Sequence, residues 1–363
     1  MARPDESVAG VVATHPPAAS RVPSPTLGFS RAAPAERVPA GYPRDRAGHN
    51  LGSRVATAHP AHVGTEVAES TSVDVWTIVL AAGRGRRLAS LTQRLYGFAL
   101  PKQFAVLDGS SSLLERTVER LLPLTSPERT VVVVPSAHES RARAMLSRWS
   151  GVHVVAQPLD RGTAPGVMLP LAYVLERSPA ASVCVSPSDH HFRDDGAARR
   201  SIEAALVAAE TRSMVLVGAR PTRPETEYGW IVPGRTCGGC APVLHFVEKP
   251  DADSAGRLFE QGALWNTFLV VARARSLWDR CRRHLPVHAS AIDACHPIGT
   301  DRTRSTLRNE YARLPTRDFS RDVLQRDRDI GVVELAGSGW SDLGTPERAL
   351  DALGPLLAGQ RAG

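Results

Sequence analysis

The stretch Val75-Trp76-Thr77-Ile78-Val79-Leu80-Ala81-Ala82-Gly83-Arg84-Gly85-Arg86-Arg87-Leu88 decides the fold. Its first six residues make a short, apolar-leaning strand of the buried kind, and a glycine-rich turn follows at the C-terminal end. Glycines there let the backbone approach a ligand, and free N–H groups suit phosphate. Two better-known phosphate loops are excluded. A dinucleotide fingerprint needs Gly where Leu88 stands, and a lysine-bearing loop needs Gly-Lys-Ser/Thr where Arg86-Arg87 stand. Alone, the pattern leaves a plain turn and a ligand site equally open.

Working outward, strand alternates with helix. Ser110–Leu122 reads as a helix, with Leu113, Leu114, Val118, Leu121 and Leu122 on the apolar face and a Ser cap. Thr130–Val134, Val152–Ala156, Val183–Ser186 and Met214–Gly218 read as buried strands, with helices near 137–148, 163–177 and 196–210. This predicts an α/β fold: a mostly parallel, Rossmann-like sheet with helices on both faces. Tyr228–Val232 and Val243–Glu248 are expected to form an inserted β-hairpin region. The folded domain is placed at 73–357. Residues 1–72, rich in Pro, Ala and Arg without apolar periodicity, are expected to form a disordered tail.

Composition removes several classes. Of 363 residues, 44 are basic and 37 acidic, yet lysine occurs only as Lys102 and Lys249. Arginine in place of lysine, with abundant Ala, Gly, Pro and Val, is the signature of GC-rich coding. The net charge of +7 is therefore no argument for a nucleic-acid partner, and no basic cluster is interleaved with aromatics. No apolar run reaches the roughly 20 residues of a bilayer span. Asp5 and Glu6 stand where a signal peptide wants basic residues, and five cysteines form no disulfide framework. A cytoplasmic protein without a membrane partner is expected.

Against that bias the two lysines need a reason. Lys102 lies in Pro101-Lys102-Gln103-Phe104 and Lys249 in Phe246-Val247-Glu248-Lys249-Pro250. An ammonium is a compact point charge that fits between phosphate oxygens where a guanidinium fork does not. Asp189, in Pro187-Ser188-Asp189-His190, ends a buried strand, where open α/β sheets bind ligands. Asp342, in Trp340-Ser341-Asp342-Leu343-Gly344-Thr345, supplies a second carboxylate, with a helix cap as its competing reading. Two carboxylates beside phosphates suit Mg²⁺. Cys237-Gly-Gly-Cys240 could be half a zinc site with Cys281 and Cys295, but reads more economically as a hairpin tip.

The ordered set resembles the sugar-phosphate nucleotidylyltransferases, most closely the mannose-1-phosphate guanylyltransferases. The likeness runs from Leu80 to Thr345. Besides the motifs above it includes Gln157-Pro158, Gly162-Thr163-Ala164-Pro165, Glu227-Tyr228-Gly229-Trp230-Ile231 and Trp265-Asn266-Thr267. The resemblance implies transfer of GMP from GTP to a sugar-1-phosphate, with mannose-1-phosphate first, Mg²⁺ as cofactor, and a homodimer as a compatible assembly. It implies that Ala81, Gly83, Gly85, Gln157, Gly162 and Thr163 bind the nucleotide, and that Arg87, Lys102 and Lys249 act on the phosphates. Glu248 and Asn266 would hold the sugar, Asp189 and Asp342 the metal. His190 and His191 are expected to orient or to pack, not to catalyse.

The sequence departs from the family pattern at four places. Ala89–Leu100 is a longer link than usual, Phe268 replaces the usual Gly, Pro346 replaces an aromatic, and a stop at 363 is expected to leave no β-helical or isomerase extension. Another base or hexose-1-phosphate, and a non-catalytic nucleotide-sugar-binding homologue, are the alternatives. The second would be expected to lose the carboxylates or lysines, and all four are present. A related glycosyltransferase would want Asp-x-Asp, which Pro-Ser-Asp-His is not.

Overall fold

The computed structural model describes residues 74–83, 88–107 and 111–359, without the side chains of 346 and 354–359. The expected tail at 1–72, and the expected ligand residues Gly85 and Arg87, lie outside the described residues.

The sheet grows from β1 (Val75–Leu80). On one side stand β2 (Thr130–Pro135) and β3 (His153–Gln157), on the other β4 (Ser182–Pro187), all parallel. Parallel strands are covered on both faces and so read as continuous apolar runs; every residue of β4 is buried. Then follow β5 (Met214–Ala219), β6 (Gly229–Pro233), β7 (Ala241–Glu248), β8 (Leu264–Arg273) and β9 (Gly331–Glu334). The nine strands form one sheet in the order β3-β2-β1-β4-β8-β5-β9-β7-β6, with β6 also pairing β8.

This corrects the expected mostly parallel sheet: it is mixed. The ten-residue β8 runs antiparallel to β4, β5 and β6 through its middle. Local patterning cannot give direction, because a strand buried on both faces looks alike either way. Nor do β6 and β7 stand apart as an inserted hairpin. They pair with each other, but both are strands of the single sheet, tied in through β8 and β9.

The helix Thr163–Arg177 is buried continuously from Ala164 to Val174. It packs in the larger apolar cluster with Ile78, Val185 and Trp278. The helix Leu113–Leu121 lies in the other large cluster, with Val79, Cys184 and Ile202. It starts at a capping box: the Ser112 hydroxyl accepts from the Glu115 N–H (3.2 Å) and the Glu115 carboxylate from the Ser112 N–H (2.9 Å). The long link holds a helix of its own, Ala89–Tyr96, ended by left-handed Gly97. No helix among the described residues is long and apolar enough to cross a membrane. Cys237 and Cys240 close a turn between β6 and β7 by backbone bonds of 2.9 and 3.2 Å.

Candidate active site

The motifs meet at the C-terminal ends of β1 and β4, where hydrogen bonds tie the Asp189 loop to β1 and to the Asp342 loop. The Ser188 N–H and hydroxyl both donate to the Leu80 carbonyl, at 3.0 and 2.7 Å, fixing the strand end that carries Asp189 against the end of β1. An isolated antiparallel bridge, His191 with Ser341 (2.8 and 2.9 Å), then locks the Asp189 loop to the Asp342 loop. Lys102 sits between them. Its ammonium lies 3.0 Å from the Asp189 carboxylate and donates to the Asp342 carbonyl at 2.7 Å, with the side chain 11% exposed. Next to it, the Gln103 amide donates to the Ala81 and Gly83 carbonyls, both at 2.9 Å. The Pro-Lys-Gln-Phe loop therefore holds the Asp189 carboxylate and the Asp342 backbone with Lys102, and the glycine turn with Gln103.

Asp342 accepts from the Tyr228 hydroxyl (2.7 Å) and the Gly344 N–H (2.9 Å) and pairs with Arg348 (3.1 Å). Burial pushes its carboxyl up, but the Tyr228 hydrogen bond and the charges of Arg348 and Lys102 outweigh it. The net pKa is lowered, and Asp342 is ionised at neutral pH. His190 accepts from the Trp340 indole N–H (3.2 Å), and burial lowers its pKa to about 4. Burial does the same to His191, also to about 4. Both imidazoles are neutral near pH 7.

A second group lies where β6, β7 and β8 pair. Gly229 faces Glu248 in register, and a Cβ there would sit 2.7 Å from the Glu248 carboxylate, 2.8 Å from Phe246 and 3.3 Å from Asn266. The glycine lets the Glu248 carboxylate, Phe246 and Asn266 approach the strand closely. Burial first, then the nearby Asp318 charge, pushes the Glu248 carboxyl up to about 7, despite Lys249, Arg321 and Ser320. Phe268, at a register shift between β5 and β8, has φ +60°, a region that favours glycine. Its N–H donates to the Asn266 side chain (3.1 Å), and its ring packs on Phe319. Lys249 and Leu343 are the other non-glycine residues with positive φ among the described residues, at +49° and +48°. All three fall in the chemistry-bearing motifs, where backbone strain concentrates.

Other expected residues are engaged differently. Gly162 (φ +89°) presses on the 317–319 segment, where a Cβ would lie 2.2 Å from the Arg317 carbonyl oxygen. The Thr163 hydroxyl donates to Asp318 (3.0 Å) and accepts from the Phe319 N–H (2.8 Å), so it serves that junction. Gln157 is buried, its amide donating to the Leu159 carbonyl while its side-chain oxygen has no partner among the described residues. Lys249 bonds through its backbone to the Tyr228 carbonyl (3.2 Å), and its ammonium forms no ion pair among the described residues.

A sequence model of the nucleotidyl transferase family matches residues 76–357. The chain belongs to that family. It is 33% identical over 285 residues to the xanthan biosynthesis protein XanB of Xanthomonas campestris pv. campestris, covering 77% of this chain and 59% of that one. It is 30% identical to a mannose-1-phosphate guanylyltransferase of Salmonella montevideo, covering 74% and 58%. A Thermus thermophilus structure described as mannose-1-phosphate geranyltransferase superposes with a TM-score of 0.66 at 34% identity, covering 75% and 77%. This nucleotidyl transferase thus spans well under two thirds of the curated relatives' length.

Three contributors lay outside the sequence reading. Tyr228 was visible inside a motif, but its hydroxyl bond to Asp342 crosses 114 positions. Arg348 carries no local signal, yet it bridges Asp342 and Glu225 (2.8 Å). The 318–325 segment, which meets Glu248 through a Gln325 bond to its N–H (3.0 Å), was not singled out at all.

Proposed function

We propose that the chain transfers GMP from GTP to a sugar-1-phosphate, with mannose-1-phosphate the preferred acceptor, giving a GDP-sugar and pyrophosphate. The observation that carries this reading is Lys102 held between the Asp189 and Asp342 loops beside the glycine turn. The mannose-1-phosphate names of two relatives, and the guanylyl-type Gly162-Thr163-Ala164-Pro165 and Pro187-Ser188-Asp189-His190, support the choice of substrates.

A sugar-phosphate oxygen, anionic near pH 7, attacks the α-phosphorus of GTP; the new P–O bond forms as the bond to the β-phosphate oxygen breaks, and pyrophosphate leaves. No general base is required, because the attacking oxygen is already anionic. The chain's task is to bring anions together and balance charge on the five-coordinate phosphorus. Lys102, with Arg87 from the glycine turn, neutralises the departing pyrophosphate. Lys249 offsets repulsion between donor and acceptor phosphates. Glu248 accepts from sugar hydroxyls, and Asn266 offers its amide to them.

The donor set fits Mg²⁺ in kind: Asp189 and Asp342 offer hard carboxylate oxygens, and Asp342 is ionised at neutral pH. Asp189 and Asp342 would hold it, and when bound it supplies Lewis-acid stabilisation of phosphate charge.

The test is pyrophosphate release from each nucleoside triphosphate crossed with several hexose-1-phosphates. GTP with mannose-1-phosphate should be turned over best. Equal turnover with dTTP or UTP would overturn the guanylyl assignment. Absence of turnover with every pair would overturn the reaction.

A further inference from the structure

We infer that Tyr228 is a positioning residue for the metal carboxylate: its hydroxyl holds Oδ1 of Asp342 and leaves Oδ2 to the divalent cation. The inference rests on the proposed role of Asp342 as a metal ligand, and adds which of its atoms binds and what aims that atom. The two carboxylate oxygens have unequal surroundings. Oδ1 accepts from the Tyr228 hydroxyl at 2.7 Å and from the Gly344 N–H at 2.9 Å, and Nε of Arg348 stands 3.1 Å away. Oδ2 accepts one hydrogen bond among the described residues, a long one of 3.4 Å from a terminal nitrogen of Arg348. A carboxylate oxygen offers about two lone-pair sites. Tyr228 and Gly344 fill those of Oδ1, so a hard cation finds its free lone pair on Oδ2.

The two bonds to Oδ1 have different origins. The Gly344 bond is local: Leu343, at φ +48°, folds the chain back so that the N–H two residues on reaches the aspartate side chain. The Tyr228 bond comes from the residue before β6 and is the one that fixes the carboxylate against the sheet. Tyr228 is itself held at both ends. Its carbonyl accepts from the Lys249 N–H at 3.2 Å. Its ring is buried against Trp265 and Trp340, with centroids 5.0 and 5.6 Å away. The hydroxyl therefore has little freedom to follow the carboxylate, and the carboxylate follows the hydroxyl.

The choice of a phenol has a physical reason. A neutral O–H orients a carboxylate without cancelling its charge, whereas a cation in that place competes with the metal for it. Arg348, the cation that does approach Asp342, divides its charge with Glu225, 2.8 Å away. Hydrogen-bond partners of a ligating carboxylate set its orientation and basicity, and their loss typically costs about 10–100-fold in metal affinity or activity.

Titration of the full chain with Mn²⁺, a hard octahedral stand-in for Mg²⁺ whose free form is read by electron paramagnetic resonance, tests this. Tyr228→Phe keeps the ring and removes only the hydroxyl. Its Kd for Mn²⁺ should rise at least about tenfold over wild type. The Mg²⁺ concentration that half-saturates turnover should rise in step, with the rate recovering at saturating Mg²⁺. Tyr311→Phe is the matched control, since it deletes a buried hydroxyl that donates to the Pro165 carbonyl instead (3.2 Å). It should bind Mn²⁺ as wild type does, each protein being assayed at a temperature where it is fully folded. Wild-type Mn²⁺ affinity in Tyr228→Phe, with binding lost in Asp342→Asn, would overturn the inference and leave the metal assignment standing. Equal weakening in Tyr311→Phe would make the effect one of general stability and overturn it too. Failure of the underlying reading looks different: Mn²⁺ binding that is absent from wild type, or indifferent to Asp342→Asn, overturns the metal assignment and the inference with it.

Discussion

Replacing Glu248 by Gln should make the protein more stable at alkaline pH and less active. Burial and Asp318 raise the Glu248 carboxyl from 4.5 to about 7, so the fold favours its protonated form. A raised carboxyl contributes stability that is present below about pH 4.5 and lost as pH climbs through 7. Each pH interval between those values costs about 1.4 kcal/mol, so the full penalty reaches about 3 kcal/mol above pH 8. Gln keeps the shape and removes the charge. Urea unfolding should then find Glu248→Gln about 2–3 kcal/mol more stable than wild type at pH 8.5, and within about 0.5 kcal/mol at pH 4.5. Turnover should fall, because the variant loses the anionic acceptor for sugar hydroxyls. A gain of equal size at both pH values, or a loss at pH 8.5, would refute the argument that burial of this charge is tolerated for function.

Lys102→Arg keeps the charge but not the fit between Asp189 and the Asp342 carbonyl. Turnover with GTP should fall by roughly a hundredfold, the worth of one charged hydrogen bond in a dry site; wild-type kinetics would return Lys102 to the surface. Gly229→Ala puts a methyl against Glu248 and Phe246 and should raise KM for the sugar-phosphate far more than KM for GTP, which initial-rate kinetics separates. Arg348→Met leaves Glu225 and Asp342, 13% and 16% exposed, without their shared cation, and should lower stability by about 3 kcal/mol in urea unfolding.

The parallel half of the fold was legible because its signal is local. The strand at 75–80 and the helix at 163–177 fall at the expected residues, and the Ser112 capping box stands where a Ser cap was expected. The mixed half was not, since the direction of β8 depends on pairings with β4, β5 and β6 that no local pattern encodes. The unusual Phe268 was visible as a departure from the family's glycine. Only the backbone shows why glycine suits the place, through a φ of +60° at a register shift. The meaning of Lys102 was foreshadowed by the scarcity of lysine. Arg348 was hidden because one more arginine among 42 carries no information.

The most direct measurement follows formation of a GDP-sugar from GTP and mannose-1-phosphate by wild type, Asp189→Asn and Asp342→Asn across a Mg²⁺ titration. Carboxylates that act together predict Mg²⁺-dependent product from wild type, and a loss of at least about a hundredfold in each Asn variant assayed at a temperature where it is fully folded. Product formed at the wild-type rate by either Asn variant, or by wild type with the metal removed, would contradict the account.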